Sequence, residues 1–133
     1  MENLSKENII GIAALLVHAA KIDEQYSEHE KILIKEFIKT YTKTESLDEI
    51  LKEGEEAESN SNQLLSFTNI IKKNSNEFKS DLIERLWKII ISDKTVDQYE
   101  SNLMRRICGL IYFPDKMSAE IKLRLLQKTK INV

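Results

Sequence analysis

The chain has 133 residues, with 22 acidic and 20 basic side chains for a formal net charge of −2, three glycines, one proline and one cysteine. That length suits one domain burying roughly two-thirds of its unfolded surface in a single core, and so few turn residues argue against an all-β chain. The interspersed charges leave no basic stripe to neutralise a phosphate backbone, which excludes nucleic acid as a partner.

Apolar residues at three- and four-residue spacing predict an all-α, single-domain bundle of seven helices. The first spans Lys6 to Lys21 with Ile9, Ile12, Ala13, Leu16 and Ala20 on one face; it is apolar nearly all round and is expected at the centre. Its apolar run, Ile9 to Ala20, falls short of the roughly 20 residues that span a bilayer. The acidic leader ahead of it does not resemble an export signal, so the expected compartment is cytoplasmic, with no transmembrane segment.

The second helix follows Ser27 and carries Ile32, Leu33, Phe37 and Ile38 to about Tyr41. Ser46 and Glu49 form a capping-box pattern that opens a third, from Leu47 to about Glu58, with Leu47, Ile50 and Leu51 inward. Its acidic end, Glu53-Gly54-Glu55-Glu56-Ala57-Glu58, carries four glutamates in six residues and is expected to be solvated and frayed.

After Ser59-Asn60-Ser61-Asn62 comes a fourth helix with Leu64, Leu65, Phe67, Ile70 and Ile71, and after Asn74-Ser75-Asn76 a fifth with Leu82, Ile83, Leu86, Trp87 and Ile90. A sixth follows Asp97 with Leu103, Met104, Ile107, Leu110 and Ile111, and Pro114 ends it. A short seventh starts after Ser118 with Ile121, Leu125 and Leu126. Trp87, Phe67, Phe37 and Tyr112 are expected in the core, as is Cys108 within Ile107-Cys108-Gly109-Leu110-Ile111.

An internal repeat is the main feature. Asp23 matches Asp93, Ser27 matches Asp97 and Glu30 matches Glu100, each seventy residues on, and Leu33 with Leu103 and Ile34 with Met104 keep the register. Each copy is an apolar helix, an Asp at its exit, a capping residue, and a Glu in the first turn of the next helix. Capping accounts for Ser27 with Glu30 and for Asp97 with Glu100, and the helix dipole favours both Glu residues.

Asp23 and Asp93 are not needed for capping. Placed near Glu30 and Glu100, they make hard oxygen sets of the kind that take Ca2+ or Mg2+. The loops are not EF-hands, because the sixth residue from Asp23 is Glu28 where that motif needs Gly, and the twelfth is Ile34. Lys94 follows Asp93 and opposes a cation there, whereas Glu24 stands at the matching place, so the first loop is the better candidate.

These segments resemble the TerB family of small all-helical proteins grouped with tellurite-resistance factors. The resemblance is carried by Ala13 to Asp23, Tyr26 to Glu30, Leu86 to Asp93 and Glu100 to Ile107, and Leu64 to Thr68 is similar to an uncharacterised bacterial branch. It implies a seven-helix fold with internal pseudo-symmetry and cation ligands at Asp23, Glu30, Asp93 and Glu100. The family's usual Gly after each Asp is Glu24 and Lys94 here. Similar domains stand alone or are attached to membrane-bound J-domain co-chaperones, which implies an interaction or stress-response role with a protein partner.

Catalysis finds no support. The sequence has no Gly-rich phosphate loop and no nucleophile elbow, and dithiol reduction of tellurite needs a second sulfur beside Cys108. His18 and His29 lack the spacing of a helical zinc site and read as ordinary core or surface histidines. Arg105-Arg106 reads as helix surface, with an acidic loop or an anion as the alternative contact. The chain is therefore expected to be a non-enzymatic module, monomeric or weakly dimeric. The other reading is a structural adaptor without metal, its acidic residues only capping helices.

Overall fold

Serine caps set the helix starts as the sequence indicates. Ser5, Ser27 and Ser75 have extended backbones, and their hydroxyls accept from the N–H groups of Asn8, Glu30 and Phe78 at 3.2, 3.2 and 3.1 Å. Ser46 differs: its backbone is not extended (ψ 55°) and its side chain makes no capping hydrogen bond, so the box expected with Glu49 does not form.

The computed structural model describes residues 4–22, 26–43, 46–61, 65–92 and 98–131. Among them lie seven helices: α1 (Lys6–Lys21), α2 (Glu28–Tyr41), α3 (Leu47–Ser59), α4 (Leu65–Lys72), α5 (Asn76–Ile91), α6 (Gln98–Ile111) and α7 (Asp115–Ile131). The bundle is all-α, as the periodicity indicates.

The repeat holds at the level of the backbone. α5 begins and ends seventy residues after α1, and α6 seventy residues after α2. In each copy the first helix packs on both the second and the third, and the second on the third. Burial shows the register slipping by one residue in the last pair, where buried Ile50 corresponds to buried Ile121. α4 joins the copies and packs on α1 and α6.

α1 and α5 form the centre and touch each other. Every residue from Ile12 to Val17 is fully buried, as expected of a helix apolar on all sides. The α2 and α5 seam is closed by Phe37, Tyr41 and Phe78, with ring centroids 4.8 to 6.0 Å apart, and by the Tyr41 hydroxyl donating to Asp81.

Three assignments change. α7 starts at Asp115, not after Ser118: Pro114 occupies the cap and its carbonyl accepts from Ser118 N–H at 3.2 Å. Ile32 is 51% exposed, because Ile34 and not Ile32 lies on the inward stripe of α2 with Phe37 and Ile38. Tyr112, expected in the core, is 68% exposed.

Tyr112 ends α6 in the left-handed region (φ 60°), and across it Phe113 N–H donates to the Cys108 carbonyl at 2.9 Å. This is a Schellman ending with Tyr where Gly is usual, and it swings the ring outward to Lys72, 4.8 Å from its centroid. Tyr112→Gly should raise stability by about 1 kcal/mol, from the steric relief, less about 0.5 kcal/mol for the lost exposed cation–π contact. Urea denaturation checks it; a loss of stability would contradict this account of the turn.

Candidate functional site

The end of α1 and the start of α2 present the first acidic unit. Glu30 is buried at 1% exposure, and its Oε1 accepts from Ser27 N–H at 2.7 Å while Ser27 Oγ accepts from Glu30 N–H. The capping box read from the sequence is therefore complete. Ser27→Ala should cost about 1 kcal/mol. Glu30→Gln, which keeps an acceptor oxygen, should cost less, and thermal melts of the two variants would show the order.

Around Glu30 the structure adds residues that the sequence left apart. The Tyr26 hydroxyl donates to Glu55 Oε2 at 2.6 Å, from α3. Burial, that hydrogen bond, and the charges of Glu55, Glu30 and Glu28 together hold the phenol far above its usual range. Three carboxylates thus bear on one hydroxyl beside the first loop.

Glu58, one turn on, accepts from Lys21 Nζ at 2.9 Å and pairs with His18 Nδ1 at 3.1 Å. Burial pushes this carboxyl up, but the contacts with Lys21 and His18 outweigh it and the net shift is downward. Glu53 faces Lys6 at 3.9 Å. The acidic end of α3, expected to be solvated and frayed, is instead docked along α1 from Lys6 to Lys21. Sequence reasoning missed this because the partners of Glu58, Lys21 and His18, lie 37 and 40 residues away in the chain.

In the second copy Glu100 is likewise buried, at 2% exposure, in the first turn of α6. The α7 residues at the height of Glu55 are Leu125 and Leu126, so this copy has no carboxylate at the place of Glu55. Asp23, Glu24, Asp93, Lys94 and Asp97 lie outside the described residues. Among the described residues no group of three or more His, Cys, Asp or Glu is placed to hold a metal ion. Glu30 and Glu55 are oxygen donors of the hard kind that suits Ca2+ or Mg2+ and does not suit a thiophilic metal.

The other candidates fall out as structure. Cys108 is buried, and its thiol is pushed up to about 11 by burial, against a hydrogen bond with Ser118; such a thiol is inert. Trp87 is buried and its indole N–H donates to Ser118 Oγ at 2.9 Å. No helix among the described residues is long and apolar enough to cross a membrane.

The family model described as tellurite resistance protein TerB matches residues 10–123 of the chain. Neither a curated protein nor a solved structure gives a match.

Proposed function

Because this chain belongs to the TerB family, we propose that it is a cytoplasmic interaction module of the stress response, acting by binding and not by catalysis, and tuned by a divalent cation at its first acidic unit. The observation that carries this reading is the burial of Glu30 and Glu100 at equivalent places in the two copies. A carboxylate held in a buried first helical turn is a hard oxygen donor of the kind that Ca2+ or Mg2+ takes. In this reading Asp23 and Glu30 are the ligands of the first unit.

The first unit is favoured over the second. Tyr26 and Glu55 gather beside it, whereas Lys94 follows the second Asp. With so few carboxylates, the affinity expected is on the order of millimolar.

Calcium titration followed by NMR and by thermal melts tests the cation reading. The wild-type chain should show saturable shifts around Glu30 and a melting temperature that rises with calcium and falls back with chelator. Asp23→Ala should abolish both. Absence of shifts at roughly tenfold the expected millimolar constant, or the same response in Asp23→Ala, would sink it.

A second reading is supported by the completed Ser27–Glu30 capping box: a structural adaptor whose acidic residues only cap helices. It expects melting temperatures indifferent to calcium.

A further inference from the structure

The two copies differ where their second and third helices meet. In the first copy that seam is closed by an ion pair, Lys35 Nζ to Asp48 Oδ1 at 2.9 Å. In the second, the residue equivalent to Lys35 is Arg105, but the α7 residues at the height of Asp48 are Ser118 and Ala119. The cation has been kept and its acid lost.

A groove of about 320 Å³ opens there between α5, α6 and α7. Its cations are Arg105, exposed on α6, and Lys122, whose Nζ stands 5.0 Å from the centroid of the Trp87 ring. Asp115 is the single carboxylate on the rim, which leaves a surplus of positive charge. Among the described residues Arg105 forms no ion pair. Buried Trp87 and Met104 form the floor of the groove and exposed Ala119 its apolar edge, and Ser101 and Ser118 line it with hydroxyls, that of Ser118 accepting from the Trp87 indole N–H.

We propose that this groove docks an acidic segment of a partner protein, one carboxylate side chain lying between Arg105 and Lys122. The volume is at the low end for ligand sites, enough for one or two side chains and too small for a nucleotide. A planar guanidinium takes a carboxylate through two parallel hydrogen bonds. The aliphatic stem of a glutamate matches the apolar surface beside the cations, which a bare phosphate, meeting only the cations and hydroxyls, would leave uncovered. The inference rests on the reading of the chain as an interaction module and not on its cation loop.

Trp87 is the only tryptophan of the chain, so its emission reports on this groove alone. The full chain, in chelator and at low salt, is titrated with an end-blocked hexaglutamate peptide and separately with inorganic phosphate. Expected are a saturable change in Trp87 emission with the peptide, an affinity at least tenfold weaker in Arg105→Glu and in Lys122→Glu, and unchanged affinity in Lys43→Glu, an exposed cation of the first copy. Arg105 is exposed, so its variant should melt as the wild type does, and the melt is recorded alongside. No emission change up to millimolar peptide, equal affinity in both groove variants, or phosphate matching the peptide at equal charge would each overturn the proposal. Because calcium is excluded, failure here leaves the cation response free to stand or fall in its own titration.

Discussion

Leu86→Ala should destabilise the chain by about 3 to 4 kcal/mol and lower its melting temperature by on the order of 10 °C. Leu86 is fully buried on α5, the helix that packs on α1, α2, α6 and α7 at once. Truncation removes three carbons from a site walled on several sides by rigid helices. Such a site collapses poorly, so the lost transfer energy is joined by the cost of the cavity. Leu86→Met, which roughly conserves volume, should cost less than about 1.5 kcal/mol. Leu123, 57% exposed on α7, provides the contrast, and Leu123→Ala should change stability by no more than about 0.5 kcal/mol. Calorimetric or urea unfolding of the three variants decides the matter. A loss at Leu86 no greater than at Leu123 would mean that α5 is not the central helix.

Gly54→Leu should cost about 3 kcal/mol, by overpacking. A Cβ at Gly54 would stand 2.8 Å from the Ala13 Cβ and 3.2 Å from both the Ala13 carbonyl carbon and the Ala14 nitrogen. Two of those three contacts are backbone, which cannot rotate away, so α3 must lift from α1. Even Gly54→Ala, which gains about 1 kcal/mol of helix propensity, should lose more than it gains. Gly109, with nothing within 4 Å of an added Cβ, should show only the gain. Lifting α3 also separates Glu55 from Tyr26 and Glu58 from Lys21 and His18. NMR should therefore show the Tyr26 and His18 signals moving in Gly54→Ala; unmoved signals would contradict the account of α3 as the support of the first acidic unit.

The buried face of α3 shows how far sequence reasoning reached. Leu47, Ile50 and Leu51 were legible as its inward stripe, and Ile50 and Leu51 are buried. Gly54 gave no comparable signal, because glycine in a run of glutamates looks like a weak point in a frayed end. Only the approach of α1 turns it into a contact. The exposed Tyr112 was misread for a related reason: its place after an apolar stripe continues the helical period, while the turn that reverses its direction depends on the hydrogen bond from Phe113 to Cys108.

The sequence by itself determined the helix count, the Ser27 capping box, the buried α1, the seventy-residue repeat and the family resemblance. Each of these is set by interactions between residues a few positions apart or by a pattern repeated along the chain. The tertiary structure alone decided that the acidic end of α3 docks on α1, that Tyr26 meets Glu55, and that Arg105 faces Ser118 and Ala119 where Lys35 faces Asp48. Charge pairing acts through space over a few ångströms. Partners far apart in the chain meet only after the apolar stripes have packed, and a linear pattern carries no record of which helices that packing brings together.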